Sequence, residues 1–130
     1  MALKKTFHDI CAEAKARIHE VTTGEVQQRL DETGRDWLLV DVRENDEFRA
    51  GHLPGALGIG RGILEYHIAD VAPDTEQEIV LYCRGGFRSA LSADSLRDMG
   101  YTNVHSMIGG YRAWENEGRP TTTEGEPIKH

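Results

Sequence analysis

Two short stretches, Trp37-Leu38-Leu39-Val40-Asp41-Val42 and Glu78-Ile79-Val80-Leu81-Tyr82, constrain the fold more than any other feature of the chain. Each is a nearly unbroken apolar run with β-branched and aromatic members, too short for a helix and lacking the alternation of a strand with one wet face. Runs of this kind suit strands buried on both sides, the condition of a parallel sheet covered by helices. Val104 to Ile108 reads as a third strand and Ala56 to Ile59 as a fourth, with a short extended piece at His19 to Val21. Helix-sized segments separate them. Strand and helix therefore alternate, which predicts an α/β domain with helices on both faces of the sheet and a ligand site at the carboxyl ends of the strands. That site falls just after Tyr82.

The helices are punctuated. Phe7, Ile10, Cys11, Ala14 and Ile18 recur at the spacing of one helical face, behind a weak capping box at Thr6 and Asp9. Cys11 lies on that stripe and reads as a small core residue. Thr22, three residues before Glu25, opens a second helix that runs to about Glu32. Ser89 to Met99 stops at Gly100, and Tyr111 to Glu117 stops at Gly118 with Pro120 following. Thr121 to His130 shows no core pattern. At 130 residues the chain suits about one domain and one core.

Several function classes fall away. Fifteen Lys and Arg against 22 Asp and Glu leave a formal charge of -7, which opposes docking on nucleic acid or anionic lipid. The apolar runs are far short of the roughly 20 residues that cross a bilayer. Met1 to Ile10 lacks the apolar stretch of a signal peptide, so a cytoplasmic location is expected. The histidines form no His-x-x-x-His pair and have no cysteine set beside them, which argues against a metal. Gly58-Ile59-Gly60-Arg61-Gly62-Ile63 places Ile63 where a dinucleotide fingerprint needs its third glycine. No cofactor is expected.

Chemistry concentrates in Cys83-Arg84-Gly85-Gly86-Phe87-Arg88-Ser89, between a buried strand and the helix that follows. Gly85 and Gly86 can take positive φ, so the backbone can curl tightly and aim successive N–H groups at one anionic atom. The helix adds its positive end. Arg84 and Arg88 bring two permanent cations, and a cationic neighbourhood at a helix N-terminus favours thiolate over thiol. Cys83 therefore reads as a nucleophile.

This loop resembles that of the rhodanese (thiosulfate sulfurtransferase) family. So do Asp41-Val42-Arg43-Glu44 with Gly51-His52-Leu53-Pro54-Gly55-Ala56, and Gly109-Gly110-Tyr111-Arg112-Ala113-Trp114 with Gly118-Arg119-Pro120, over roughly residues 20 to 120. The resemblance implies a rhodanese-like five-stranded parallel sheet flanked by helices on both faces. It also implies a Cys83 persulfide that takes a sulfane sulfur from thiosulfate, or a related donor, and passes it to cyanide or a thiol. On this reading residues 1–18 are an N-terminal helix, 19–120 the domain and 121–130 a tail. The partners are a small sulfur donor and its acceptor, with a sulfur-accepting protein as a further candidate. The alternative is a persulfide carrier or a non-catalytic docking module. Phosphatases sharing this fold have His before the cysteine and one residue more between Cys and Arg, whereas here Tyr82 precedes Cys83 and four residues separate it from Arg88. The narrower ring suits a single sulfur. The mercaptopyruvate-type loop ending is absent, so thiosulfate is the expected donor.

Around the loop, Arg84, Arg88 and Arg61 are candidates for binding the anionic donor, with bracing of the loop as the alternative for one of Arg84 and Arg88 and a surface pair to Glu65 as the competing role for Arg61. Asp41 and Arg43 are expected to support the loop, Asp41 accepting from its backbone and Arg43 paired with Glu47 or another acid. Phe87 is expected to gate the site, contact a partner or shield the persulfide. His52 reads as a hydrogen-bonded packing residue and Trp114 as core.

Overall fold

The two apolar runs become the central pair of a five-stranded sheet in the computed structural model, which describes residues 2–130. The strands are β1 (His19–Val21), β2 (Leu38–Asp41), β3 (Leu57–Gly58), β4 (Ile79–Tyr82) and β5 (Val104–Met107). Their order is β1-β5-β4-β2-β3 and every pairing is parallel. The helices are α1 (Phe7–Arg17), α2 (Thr23–Asp31), α3 (Asn45–Ala50), α4 (Leu64–Val71), α5 (Phe87–Met99) and α6 (Gly110–Asn116), with a 3-10 turn at Arg61–Ile63.

Period-two geometry explains why unbroken apolar runs were required. Val40 and Leu81 face one core, with Leu64 and Ile68 of α4 and Ala93 and Leu96 of α5. Leu39, Val80 and Tyr82 face the other, with Val26 of α2 and Trp114 of α6. Both cores therefore draw on the same two strands. The chain leaves β2 toward β3 at one edge and leaves β4 toward β5 on the other side, so the crevice between the carboxyl ends of β2 and β4 is the switch point of the sheet. Tyr82 ends β4 there and Asp41 ends β2.

Three details depart from the sequence reading. β3 is only Leu57–Gly58. Helix α5 begins at Phe87, two residues before Ser89, because Gly86 at φ +97° turns the chain directly into the helix. The tail, in which no core pattern was seen, is docked: Thr122 bridges His52, Ile128 N–H donates to Gly58 O at 2.7 Å, and Pro127 is buried. The Ile128 bond lies on the open β3 edge and the Ile128 side chain packs against the Val40 and Leu81 core, so backbone bonds and two adjacent apolar residues, too few to make a periodic pattern, hold the tail. Helix α1 lies on α5, with Cys11 and Ala14 buried and Arg17 paired with both carboxylate oxygens of Asp94. No helix among the described residues is long and apolar enough to cross a membrane.

Candidate active site

Cys83 follows β4 directly and is 1% exposed. Its surroundings follow from where the loop's polar groups go. The carbonyls of Cys83 and Arg84 turn away from the loop centre and accept the N–H groups of Tyr111 and Arg112 at 2.7 and 3.0 Å. Gly110 makes this closeness possible. It sits at φ +57°, and a Cβ there would collide with the carbonyl oxygens of Cys83 and Arg84. On the inner side, Gly86 N–H donates to Cys83 Sγ at 3.1 Å. Of the two loop glycines only Gly86 takes positive φ. Gly85 does not, and an added Cβ there would meet only ordinary van der Waals contact with the Phe87 ring.

Behind the sulfur, Ser89 Oγ lies 3.5 Å from Sγ, and Ser106 Oγ of β5 lies 2.8 Å from Ser89 Oγ. The sulfur also sits at the start of α5, whose 13 residues direct their positive end toward it. A backbone donor, a hydroxyl and a helix N-terminus thus converge on one atom, and each interacts better with an anion than with a neutral thiol.

The two loop arginines differ in their partners. Arg88 is held by Glu47 of α3, through contacts of 2.8 and 3.2 Å. The Arg88 guanidinium holds the Glu47 carboxyl below the usual carboxylate range. Arg88 is therefore charge-compensated and ties the loop to α3. Arg84 makes no ion pair among the described residues, and it lines a cleft of about 380 Å³ between α3 and α6 whose other charged residues are Arg43 and Arg112 and the acids Asp46, Glu47 and Glu115. Among the described residues Arg61 likewise makes no ion pair, and its bridge to Glu65 does not form.

Asp41 accepts from Arg43 rather than from the cysteine loop. Its Oδ1 takes the Arg43 backbone N–H at 2.9 Å and Nε at 3.0 Å, and its Oδ2 takes Nη2 at 2.7 Å. That short-range turn is the reason Asp41, not Glu47, is the acid for Arg43. The Arg43 guanidinium also donates to Gly51 O at 2.6 Å and lies 4.2 Å from the centre of the Tyr111 ring. It thereby joins β2, the end of α3 and the residue that holds the Cys83 carbonyl.

Phe87 is 37% exposed, and its ring meets α1, with Phe7 and His8 centroids at 5.9 and 5.8 Å and Lys15 Nζ at 4.7 Å. His52 stacks on Phe48 at 3.6 Å between centroids, with its ring nitrogens 2.7 Å from Phe48 O and Glu124 O. The described residues hold no group of three or more His, Cys, Asp or Glu able to bind a metal ion.

Glu47 as the partner of Arg88, Ser106, Gly110 and the α1 contact with Phe87 were not found in the sequence. Ser106 carried a signal: it is a small polar residue inside a short strand whose end is buried.

Residues 22–117 match the family described as the Rhodanese-like domain, and the chain belongs to that family. Among its relatives, a sulfurtransferase of Allochromatium vinosum is 33% identical over 103 residues, covering 79% of this chain and 94% of that protein. A thiosulfate sulfurtransferase, GlpE, of Pseudoalteromonas translucida is 30% identical over 80 residues, covering 62% of this chain and 74% of that one. A solved structure from Rhodopseudomonas palustris, a protein of unknown function described as a possible tyrosine phosphatase, superposes with a TM-score of 0.86 at 30% identity, over 94% of this chain and 98% of its own. The family and these sulfurtransferase relatives support rhodanese-type sulfur transfer in general.

Proposed function

We propose that the chain is a thiosulfate sulfurtransferase in which Cys83 carries the sulfur as a persulfide. The observation that carries this reading is the Gly86 N–H on Cys83 Sγ, 3.1 Å away, at the first turn of α5. In the loading step the Cys83 thiolate attacks the outer sulfur of thiosulfate. A new S–S bond forms, the bond to the sulfonate sulfur breaks, and sulfite leaves with its electron pair, so the charge is conserved. In the second step cyanide or an acceptor thiolate attacks the outer sulfur of the persulfide anion, taking it as thiocyanate or a new persulfide and returning the Cys83 thiolate. Donors arranged around an anionic sulfur stabilise the intermediate without a separate general base.

Arg84, which makes no ion pair among the described residues although Asp46, Glu47 and Glu115 share its cleft, is the residue assigned to the anionic donor, and Arg61 is a second candidate. Arg88, compensated by Glu47, braces the loop, and Asp41 with Arg43 supports it from β2. Residues 19–120 form the catalytic unit, with α1 and the tail attached to it. Phosphate-ester hydrolysis is less well supported, because the arginine that would grip a phosphate is bidentate to Glu47. The same Cys83 persulfide would serve a carrier that delivers sulfur to a protein, whereas a docking module would need no loaded cysteine.

The test is thiocyanate formation from thiosulfate and cyanide. Cys83→Ser is expected to abolish it. Arg84→Ala is expected to lower kcat/KM for thiosulfate by about tenfold to a hundredfold, the scale of one lost hydrogen bond to a charged group. Full activity in Cys83→Ser would overturn the proposal.

A further inference from the structure

We infer that Ser106 is a positioning residue for Cys83: it sets the direction of a buried two-hydroxyl chain so that the chain ends in a proton donated to the sulfur. Ser106 lies in β5 and Ser89 in the first turn of α5, and both are fully buried. Their oxygens are 2.8 Å apart, and Ser89 Oγ is 3.5 Å from Cys83 Sγ. Ser89 is the one hydrogen-bond partner of the Ser106 hydroxyl among the described residues. An oxygen placed this deep costs desolvation unless it is bonded, so this contact decides how the hydroxyl is used.

Two directions are available to such a chain. If Ser106 donates to Ser89 and Ser89 donates to sulfur, both hydroxyl protons are used, and the sulfur accepts, a role a thiolate fills far better than the weakly accepting sulfur of a thiol. If the chain runs the other way, a thiol S–H donates to Ser89 and Ser89 donates to Ser106. The Ser106 proton is then buried without an acceptor, which is the costly arrangement. Gly86 N–H, 3.1 Å from the same sulfur, also has a use only when that sulfur accepts. Both contacts therefore favour the anionic sulfur. Ser106 never touches it and acts through Ser89.

The test is iodoacetamide alkylation of the full chain across a pH series, with Cys83 and Cys11 followed separately by peptide mass spectrometry. In Ser106→Ala the Cys83 profile moves to higher pH, and the rate near neutrality falls about three- to tenfold, the scale of one charge-assisted hydrogen bond losing its direction. Ser106→Thr keeps a hydroxyl and recovers the reactivity lost in the alanine protein. Ser92→Ala removes another buried hydroxyl of α5, one without a hydrogen-bond partner among the described residues, and leaves the profile in place. If the alanine protein does not fold, Ser106→Cys, a weak donor, replaces it and shifts the profile in the same direction by less. An unmoved profile in the substituted protein, or a shift in Ser106→Thr as large as in Ser106→Ala, overturns the inference. Its functional meaning rests on Cys83 carrying sulfur, but alkylation involves no sulfur transfer, so the two fail separately. Intact loading with an unmoved profile removes only the chain of hydroxyls, and a moved profile without loading removes only the carrier.

Discussion

Replacing Asp41 with Asn removes the charge against which Arg43 is buried. The Asp41 side chain is 0% and that of Arg43 3% exposed, and they share three close contacts of 2.7 to 3.1 Å. Burial alone weakens the Arg43 charge, and the neighbouring Asp41 carboxylate more than offsets this, so the guanidinium stays charged in the core. An exposed pair would be worth only about 0.2–1 kcal/mol. Unpairing a buried one costs about 3–5 kcal/mol, because the remaining ion has no solvent to return to. The Asn side-chain oxygen can still accept one of these bonds, which brings the expected loss to about 2–4 kcal/mol. That is a large part of a stability on the order of 5–15 kcal/mol. Urea unfolding followed by tryptophan fluorescence is a suitable assay, since Trp37 and Trp114 are both buried. The midpoint should fall with the slope unchanged, as for a loss of stability without a change in exposed surface. The double variant Asp41→Val with Arg43→Met, which buries no charge, should lose less than Asp41→Asn alone. A loss below about 1 kcal/mol in Asp41→Asn would refute the assignment of this pair as the support under the loop.

Glu47→Gln should cost about 1–2 kcal/mol at neutral pH, between the exposed and buried scales, since both partners are partly buried. Because Arg88 holds the folded Glu47 below its unfolded value, this stabilisation is present above the ordinary carboxylate range and is lost as the pH falls through the folded value. Wild type and Glu47→Gln should therefore converge in acid, and a stability gap that stays constant into acid would contradict the Arg88 pairing. Gly110→Ala should cost more than about 2 kcal/mol, from positive-φ strain plus the collision with the Cys83 and Arg84 carbonyls. A Gly110→Ala protein with unchanged thermal stability and sulfur transfer would show that α6 does not cap the loop as described.

What could be read in advance was local or periodic. Trp37 to Val42 and Glu78 to Tyr82 declared buried parallel strands because both faces of each had to be apolar, and the Cys83 to Ser89 string declared a tight turn from strand into helix because its glycines and the helix start lie within seven residues. Arg88 and Glu47 are 41 residues apart and Ser89 and Ser106 are 17 apart. Their pairing depends on strand order and crossover geometry, which no window of sequence contains. Asp41 shows the converse error. Its partner was two residues away at Arg43, yet the reading looked to the distant loop for it. Tail docking leaves little trace in the sequence because its bonds, such as Ile128 N–H to Gly58 O, are made by backbone groups that every residue carries, and its apolar contacts come from Pro127 and Ile128 alone.

Intact-protein mass spectrometry under non-reducing conditions, before and after thiosulfate, tests the central claim most directly. Wild type should gain roughly 32 Da, the mass of one sulfur held as a covalent intermediate on the nucleophile. Peptide mapping should place it on Cys83 and not on Cys11, whose thiol is pushed above its ordinary value by burial. Cys83→Ser should gain nothing. A gain that persists in Cys83→Ser, or none in a wild-type protein whose Cys83 is still open to alkylation, would contradict the account.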